Sequence, residues 1–271
     1  MTPRTMKPRL TVVTLVNDEA LYAQASKSLA RQHRAGTVQW IPIHADHQEW
    51  KAAEALNLGI DRARADWVVC AHQDLIFPLG WWMNVSDQIR SWEERSDRPV
   101  AVAGLVGVRA NGSFRGSVAD PHGFCRWGPL PAAVISVDEH VIIIRRSTEL
   151  RFDPQTPGFH CYGADIALEA RHRGLQAIAI DAPVVHLSKG SIDWTWKQAA
   201  AWLLCKWGHQ THGVIPTCAA TVADQSVRTA PRRLFVHFNR RLSVYRRRFT
   251  MWRSPKAGSH LHDHGMFRAA A

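Results

Sequence analysis

A chain of 271 residues with 46% hydrophobic and 21% charged side chains can bury a substantial core, which excludes wholesale disorder and fits one large α/β domain plus a tail. No stretch approaches 18 consecutive apolar residues, and no signal-peptide core precedes the first strand pattern, so a cytoplasmic location is expected. Five scattered cysteines (Cys70, Cys125, Cys161, Cys205, Cys218) without CxxC spacing exclude a disulfide framework and a cysteine zinc site, and the net charge of +11 calls for an anionic partner.

Leu10–Val16 is a β-branched run, and Asn17-Asp18-Glu19 supplies helix-start chemistry before a helix over Leu21–Arg31. Val38–His44 reads as a second strand. A helix is expected over Trp50–Arg64, with Ala53, Leu56, Ile60 and Ala63 at helical spacing, and Trp67–Ala71 as a third, wholly apolar strand. Strands that alternate with helices and carry continuous apolar runs imply a mainly parallel sheet covered on both faces, whose ligands sit at the carboxyl ends of the strands. That rule selects Thr14–Asp18 with Val16 at its strand end, His44–Asp46, and His72-Gln73-Asp74.

Farther on, Pro99–Val108 is strand material, Gly116–Pro131 reads as loop, and Val134–Arg145 returns to strand. Ala164–Arg173 is a short helix stopped by Gly174. Gln176–Ile180 and Val184–Leu187 are extended, and Asp193–Trp207 is helical. A domain over 1–210 is expected to be followed by a basic, partly helical extension over 211–271. Between Gln225 and His262 there are nine arginines and one lysine but no acid, and Leu234, Phe235, Phe238, Leu242, Tyr245 and Phe249 interleave with those cations. Such a segment suits peripheral contact with an anionic membrane, or a helix docked on the domain with its arginines solvated.

Several polar residues stand where chemistry is plausible, each with a plainer reading. Asp74 follows a buried strand, where an acid needs water, a cation or a donor, although strand-end acids commonly cap turns. Asp165 opens a helix within GFHCYGAD beside His160 and Tyr162, where the helix dipole alone favours a carboxylate. His186 ends a short apolar strand, a setting in which histidine is usually a satisfied core residue. Asp138 and Glu139 interrupt VISVDEHVIII and suit an acceptor's hydroxyls or an irregular strand edge. Asn57 lies on the apolar stripe of the second helix and needs either backbone or ligand partners.

In order and spacing these segments resemble the family 2-like GT-A glycosyltransferases, in particular the bacterial branch with HQD in place of DxD. The resemblance runs from about Leu10 to Trp207 through TVVTLVNDE, AAEALNLGIDRARADWVVCAHQDLIFPLGWW, VDEHVIIIRRSTELRFD, GFHCYGADIALEARHRG and DAPVVHLS. It implies a GT-A fold and transfer of a sugar from a nucleotide-diphosphate donor, UDP-sugars favoured, to a hydroxyl of a glycan or lipid-linked acceptor, with inversion. Asp74 and His186 then match the metal site for Mn2+ or Mg2+, and Asp165 matches the catalytic base. Asp46, Asn57 and His72 become nucleotide contacts, and Trp81 or Trp82 a wall for a sugar face. The chain departs from the family pattern at His72, where an acid is usual, and at Ala164-Asp165, where an acidic pair is usual. Within the same fold a sugar-nucleotide nucleotidyltransferase is the alternative, but no glycine-rich, lysine-bearing phosphate loop lies near the first strand. A non-catalytic module binding anionic surfaces through the tail is the alternative from another class. Nucleic acid is not among the expected partners.

Overall fold

The computed structural model describes residues 8–33, 37–44, 51–188 and 194–224, and the backbone of 235–237. The first half alternates as its apolar runs require. β1 (Leu10–Val16), α1 (Glu19–Ala30), β2 (Val38–His44), α2 (Ala52–Arg62) and β3 (Trp67–Ala71) are followed by the short β4 (Leu75–Ile76), α3 (Trp81–Glu93), β5 (Val100–Gly104) and β6 (Val106–Val108). Asp18 caps α1 by accepting from the backbone N–H groups of Ala20 and Leu21, so the acid-rich turn after β1 starts the helix as its chemistry predicts.

The middle differs from the expected loop. β7 (Phe114–Asp120) and β8 (Gly123–Trp127) form an antiparallel hairpin across 116–131. FRGSVAD carries no apolar run, and the β6–β7 pairing holds it extended. Gly116 has a φ of 135°, and a Cβ there would lie 2.2 Å from the carbonyl oxygen of Leu105. Then come β9 (Ala132–Ala133), β10 (Ser136–Val137), β11 (Val141–Arg145), α4 (Tyr162–His172), β12 (Gln176–Ala179), β13 (Val185–His186), α5 (Trp194–Trp207), β14 (Val214–Pro216), β15 (Thr221–Ala223) and β16 (Phe235–His237).

The main sheet has the order β2-β1-β3-β11-β5-β12-β9. Its strands are parallel except β11 and β9: β11 runs antiparallel to both β3 and β5, with Val141 opposite Ala71 and Ile142 opposite Gly104. Alternate residues of β11 feed two cores. Ile142 and Ile144 pack with Leu56 and Ile60 of α2 and Ile166 of α4. Val141 and Ile143 face the other side, with Leu29 of α1 and Trp81, Val85 and Ile89 of α3. Burial on both faces explains the unbroken apolar strands. A second sheet, β10-β6-β7-β13-β4, with β8 paired to β7, lies at the end of the first.

α5 packs Trp196, Leu203 and Trp207 against Ala164 and Leu168 of α4. Ile215, Ala220 and Val222 join this cluster, so packing continues across position 210, where the sequence suggests a division. The backbone of Phe235–His237 is extended and paired with β15, where a helix is expected. The rest of the basic segment lies outside the described residues. No described helix is long and apolar enough to cross a membrane.

α2 seats on β1 through a side chain that is missing. A Cβ on Gly59 would lie 2.2 Å from Cγ1 of Val13, both within a closed core. Gly59→Ala is expected to destabilise the protein by about 1–3 kcal/mol through this overlap, despite alanine's better helix propensity. Urea unfolding of the two proteins checks it, and an unchanged midpoint would contradict the packing.

Candidate metal centre

β3 ends at Ala71, and the next three residues are pinned to three other segments. The N–H of His72 donates to the carbonyl of His140, 3.0 Å away. Gln73 Oε1 accepts from the N–H groups of Asn17 and Asp18 at 2.9 Å each, and its amide donates to Asn17 Oδ1. The carbonyl of Asp74 accepts from Leu187 N–H at 2.9 Å. Gln73 thus ties the end of β1, just past Val16, to the end of β3.

The antiparallel pairing of β4 with β13 sets His186 opposite Leu75. This register brings His186 Nε2 within 3.4 Å of Asp74 Oδ2, while His72 Nδ1 lies 4.0 Å from Asp74 Oδ1. One ligand atom from each of the three residues falls within 4.8 Å of the others. Donors sharing a divalent ion at about 2.0–2.2 Å lie roughly 3–4 Å apart, so small side-chain rotations close this set on one centre. Two imidazoles and a carboxylate fit a first-row divalent metal such as manganese better than a cation that demands oxygen alone.

The electrostatics agree with that fit. Burial works to raise the Asp74 pKa but is outweighed by hydrogen bonds from His186 and Ser188 and by the neighbouring imidazoles, which hold it well below the usual carboxylate range. Burial also lowers the His72 pKa to about 4, reinforced by His186 and His140 against the pull of Asp74, so the ring is neutral at pH 7 and keeps a lone pair. At His186 the lowering by burial is overcome by the hydrogen bond and charge of Asp74, and its pKa is raised.

Behind this set lies His140, which sequence reasoning passes over because a histidine entering an apolar strand looks like core. It is 3% exposed, its ring stacks on His186 with centroids 5.7 Å apart, and Nδ1 is paired with Asp138 Oδ1. Its Nε2 is buried with no hydrogen-bond partner among the described residues. Asp138 is thereby drawn to this edge. Burial raises its pKa, but the charge and hydrogen bonds of His140 prevail and hold it well below the usual range. The neighbouring Glu139 turns toward α4, with Oε1 3.3 Å from Gly163 N–H, and burial together with the charge of Asp138 pushes it up to about 8.

Other expected site residues sit elsewhere. Asn57 is clasped by backbone: Nδ2 donates to the carbonyl of Phe152 at 2.8 Å and Oδ1 accepts from its N–H at 3.0 Å, which satisfies the amide without a ligand. Trp81 is 1% exposed and donates its indole N–H to the carbonyl of Ala182, so it is a core residue and offers no open sugar wall; Trp82 is buried beside it. Tyr162 is buried edge-on against Phe152, whereas His160 is only partly buried in the loop before α4. Asp46 lies outside the described residues. Asp165 is 1% exposed, and its Oδ1 takes a hydrogen bond from the Trp207 indole at 2.7 Å and an ion pair from Lys206 at 2.8 Å. Burial raises its pKa against the lowering effect of those two donors.

No family model matches the chain. It is 27% identical over 193 residues to the protein described as ATP synthase subunits region ORF 6 of Fuscovulum blasticum, covering 67% of this chain and 76% of that one. Among solved structures, that of GalNAc-T7 with UDP, GalNAc and Mn2+ superposes with a TM-score of 0.55 at 11% identity over 76% of this chain. This chain spans about half of that one, 49%. The mannosyltransferase PcManGT of Pyrobaculum calidifontis, in complex with GDP-Man and Mn2+, matches at 15% identity over 76% of this chain and 63% of its own, with a TM-score of 0.45. S. aureus TarS 1-349 matches at 11% identity over 74% and 65%, also with a TM-score of 0.45. The fold is the mixed α/β arrangement of the GT-A glycosyltransferases.

Asp74→Asn removes the one carboxylate of the three-donor set and is expected to weaken Mn2+ binding roughly tenfold or more. Asp61→Asn, in a surface pair with Arg151, should leave it unchanged. Calorimetric titration with Mn2+ measures both, and equal affinity in wild type and Asp74→Asn would place the metal elsewhere.

Proposed function

We propose that the chain is a glycosyltransferase that moves a sugar from a nucleotide-diphosphate donor, most simply a UDP-sugar, to a hydroxyl of a glycan or lipid-linked acceptor with inversion. The observation that carries this reading is the His72-Asp74-His186 donor set at the carboxyl end of β3, where open α/β sheets place their ligands. GalNAc-T7 carries UDP, GalNAc and Mn2+ on the same fold, which supports the choice of donor and metal.

Within this reading Asp74 and His186 hold Mn2+ or Mg2+, and His72 adds a neutral imidazole from the same edge. The bound ion supplies positive charge to the departing diphosphate. The chain's own residues do the rest. The Gln73 bridge to Asn17 and Asp18 fixes the distance between the β1 and β3 ends, where nucleotide contacts at Val16 and His72 belong. Asp138 and Glu139 on the neighbouring turn, with His160 in the loop before α4, are assigned to the acceptor, and the arginine-rich sequence after Gln225 supplies charge suited to an anionic lipid carrier.

An inverting displacement also needs a carboxylate that takes the acceptor's proton. The sequence resemblance gives that part to Asp165. Its burial and its two partners on α5 support a different part, the anchoring of α5 to α4. Asp165→Asn separates these assignments. A base requires a loss in kcat of roughly a hundredfold or more with donor affinity little changed, whereas an anchor predicts a lower melting temperature and near-normal turnover by the protein that remains folded.

Thermal unfolding with UDP, GDP and a panel of UDP-sugars, with and without Mn2+, tests the reading as a whole. UDP at a hundred times its Kd should stabilise the wild type by about 2.7 kcal/mol, with the effect strengthened by Mn2+. Unfolding temperatures that ignore every nucleotide would overturn it.

A further inference from the structure

The turn between β10 and β11 is fitted to the start of α4 by a missing side chain. A Cβ on Gly163 would lie 2.5 Å from the carbonyl oxygen of Val137 and 3.1 Å from Glu139 Cγ, so only glycine lets the turn seat there. α4 has no capping side chain of its own. Its N-cap, Cys161, is held in the left-handed region at φ 64°, and the Glu139 carboxylate from a different segment meets the free Gly163 N–H instead. The same three-residue turn continues into His140, whose carbonyl holds His72 and whose ring stacks on His186. Glu139 therefore sits on the turn that meets the donor set through Asp138 and His140, with its own carboxylate at the start of α4, whereas the acid belonging to α4, Asp165, is buried and ion-paired with Lys206.

Resting on the transferase reading above, we propose that Glu139, rather than an acid of α4, is the catalytic base. Its carboxylate takes the proton of the acceptor hydroxyl as that oxygen bonds to the anomeric carbon of the donor. The bond from that carbon to the diphosphate oxygen breaks, and its electron pair leaves with the nucleoside diphosphate. The proton then passes from Glu139 to water.

Adjacent acids whose surroundings separate their pKa values mark a division of proton-transfer roles. Asp138, paired with His140, stays ionised throughout the physiological range. Glu139 is pushed up to about 8 by burial and by Asp138, against the backbone N–H groups of Gly163 and Cys161. The other titratable groups facing it are Cys161 and Tyr162 at the start of α4 and Cys218 from the β14–β15 turn, all with raised pKa values and neutral at pH 7. The base form therefore accumulates as pH rises toward 8, and turnover should rise with it. Folding has the opposite dependence. A carboxyl whose pKa is raised by folding loses stability as pH climbs from its unfolded value to its folded one, so the melting temperature of Glu139→Gln should gain on that of wild type between pH 5 and pH 9.

The experiment uses the full chain with Mn2+ and a panel of UDP-hexoses, with water as acceptor and UDP release as the readout, alongside UDP titration and 13C NMR of the glutamate carboxyls. Glu139→Gln, which keeps an oxygen for the Gly163 N–H, should lower kcat roughly a hundredfold or more while UDP affinity stays within about threefold. The carboxyl signal missing from this variant should titrate near 8 in the wild type, in step with the rise in rate. Turnover by Glu139→Gln within about threefold of wild type, a Glu139 signal that titrates in the ordinary carboxylate range, or a melting-temperature gap that ignores pH would each overturn the base assignment and leave the transferase reading intact. Wild type that binds no UDP in the presence of Mn2+ would overturn both together.

Discussion

One reversed strand organises the site. β11 enters the main sheet antiparallel between β3 and β5, so its first residue pairs with the last residue of β3. Were it parallel, the Asp138-Glu139-His140 turn would emerge at the opposite edge, a strand length from His72 and Asp74. Reversed, the turn meets them directly, and the hydrogen bond from His72 N–H to the His140 carbonyl marks the junction. The β4–β13 pairing then adds His186 from a third segment. Register matters as much as direction, because a slip of one residue in β11 would exchange Ile142 and Ile144 for Val141 and Ile143 between the two cores and carry the turn away from the β3 edge.

What could be read in the sequence was whatever is decided locally. Apolar runs buried on both faces announce β1, β3 and β11, and Asp18 announces α1 by the chemistry of its cap. The β7–β8 hairpin is not legible, since β7 has no apolar run and is held between β6 and β13, and β8 is held by its pairing with β7. α3, by contrast, carries its signal openly, because Trp81, Val85 and Ile89 recur every four residues and pack into one core between polar positions.

The same division separates the site residues. Asp74 stands out because an acid after a buried strand demands a partner, and its position alone does not say that the partner is His186, 112 residues on. Asn57 advertises an unsatisfied amide, yet Phe152, 95 residues away, satisfies it with its backbone. Asp165 looks like the acid of an active helix until Lys206 and Trp207 are brought onto it by α5, with Lys206 shared between Asp165 and Asp153 at 2.8 and 2.7 Å. Taking one charge from such a buried group leaves the others unpaired, and the cost falls on the α4–α5 contact. Glu139 was visible as an oddity in an apolar strand, but its relation to Gly163 exists only in three dimensions.

The three candidate donors come from chain segments far apart: His72 and Asp74 at the end of the third strand, His186 on the thirteenth. A growing chain therefore exposes two donors long before the third is made, and the β4–β13 pairing that aligns them forms after every strand of the main sheet has been synthesised. The full donor set is thus completed late in biosynthesis. On the proposed reading an ion held by all three side chains would report that the main sheet and the β4–β13 pairing have both formed, and a ribosome-bound chain ending before His186 would lack the third donor.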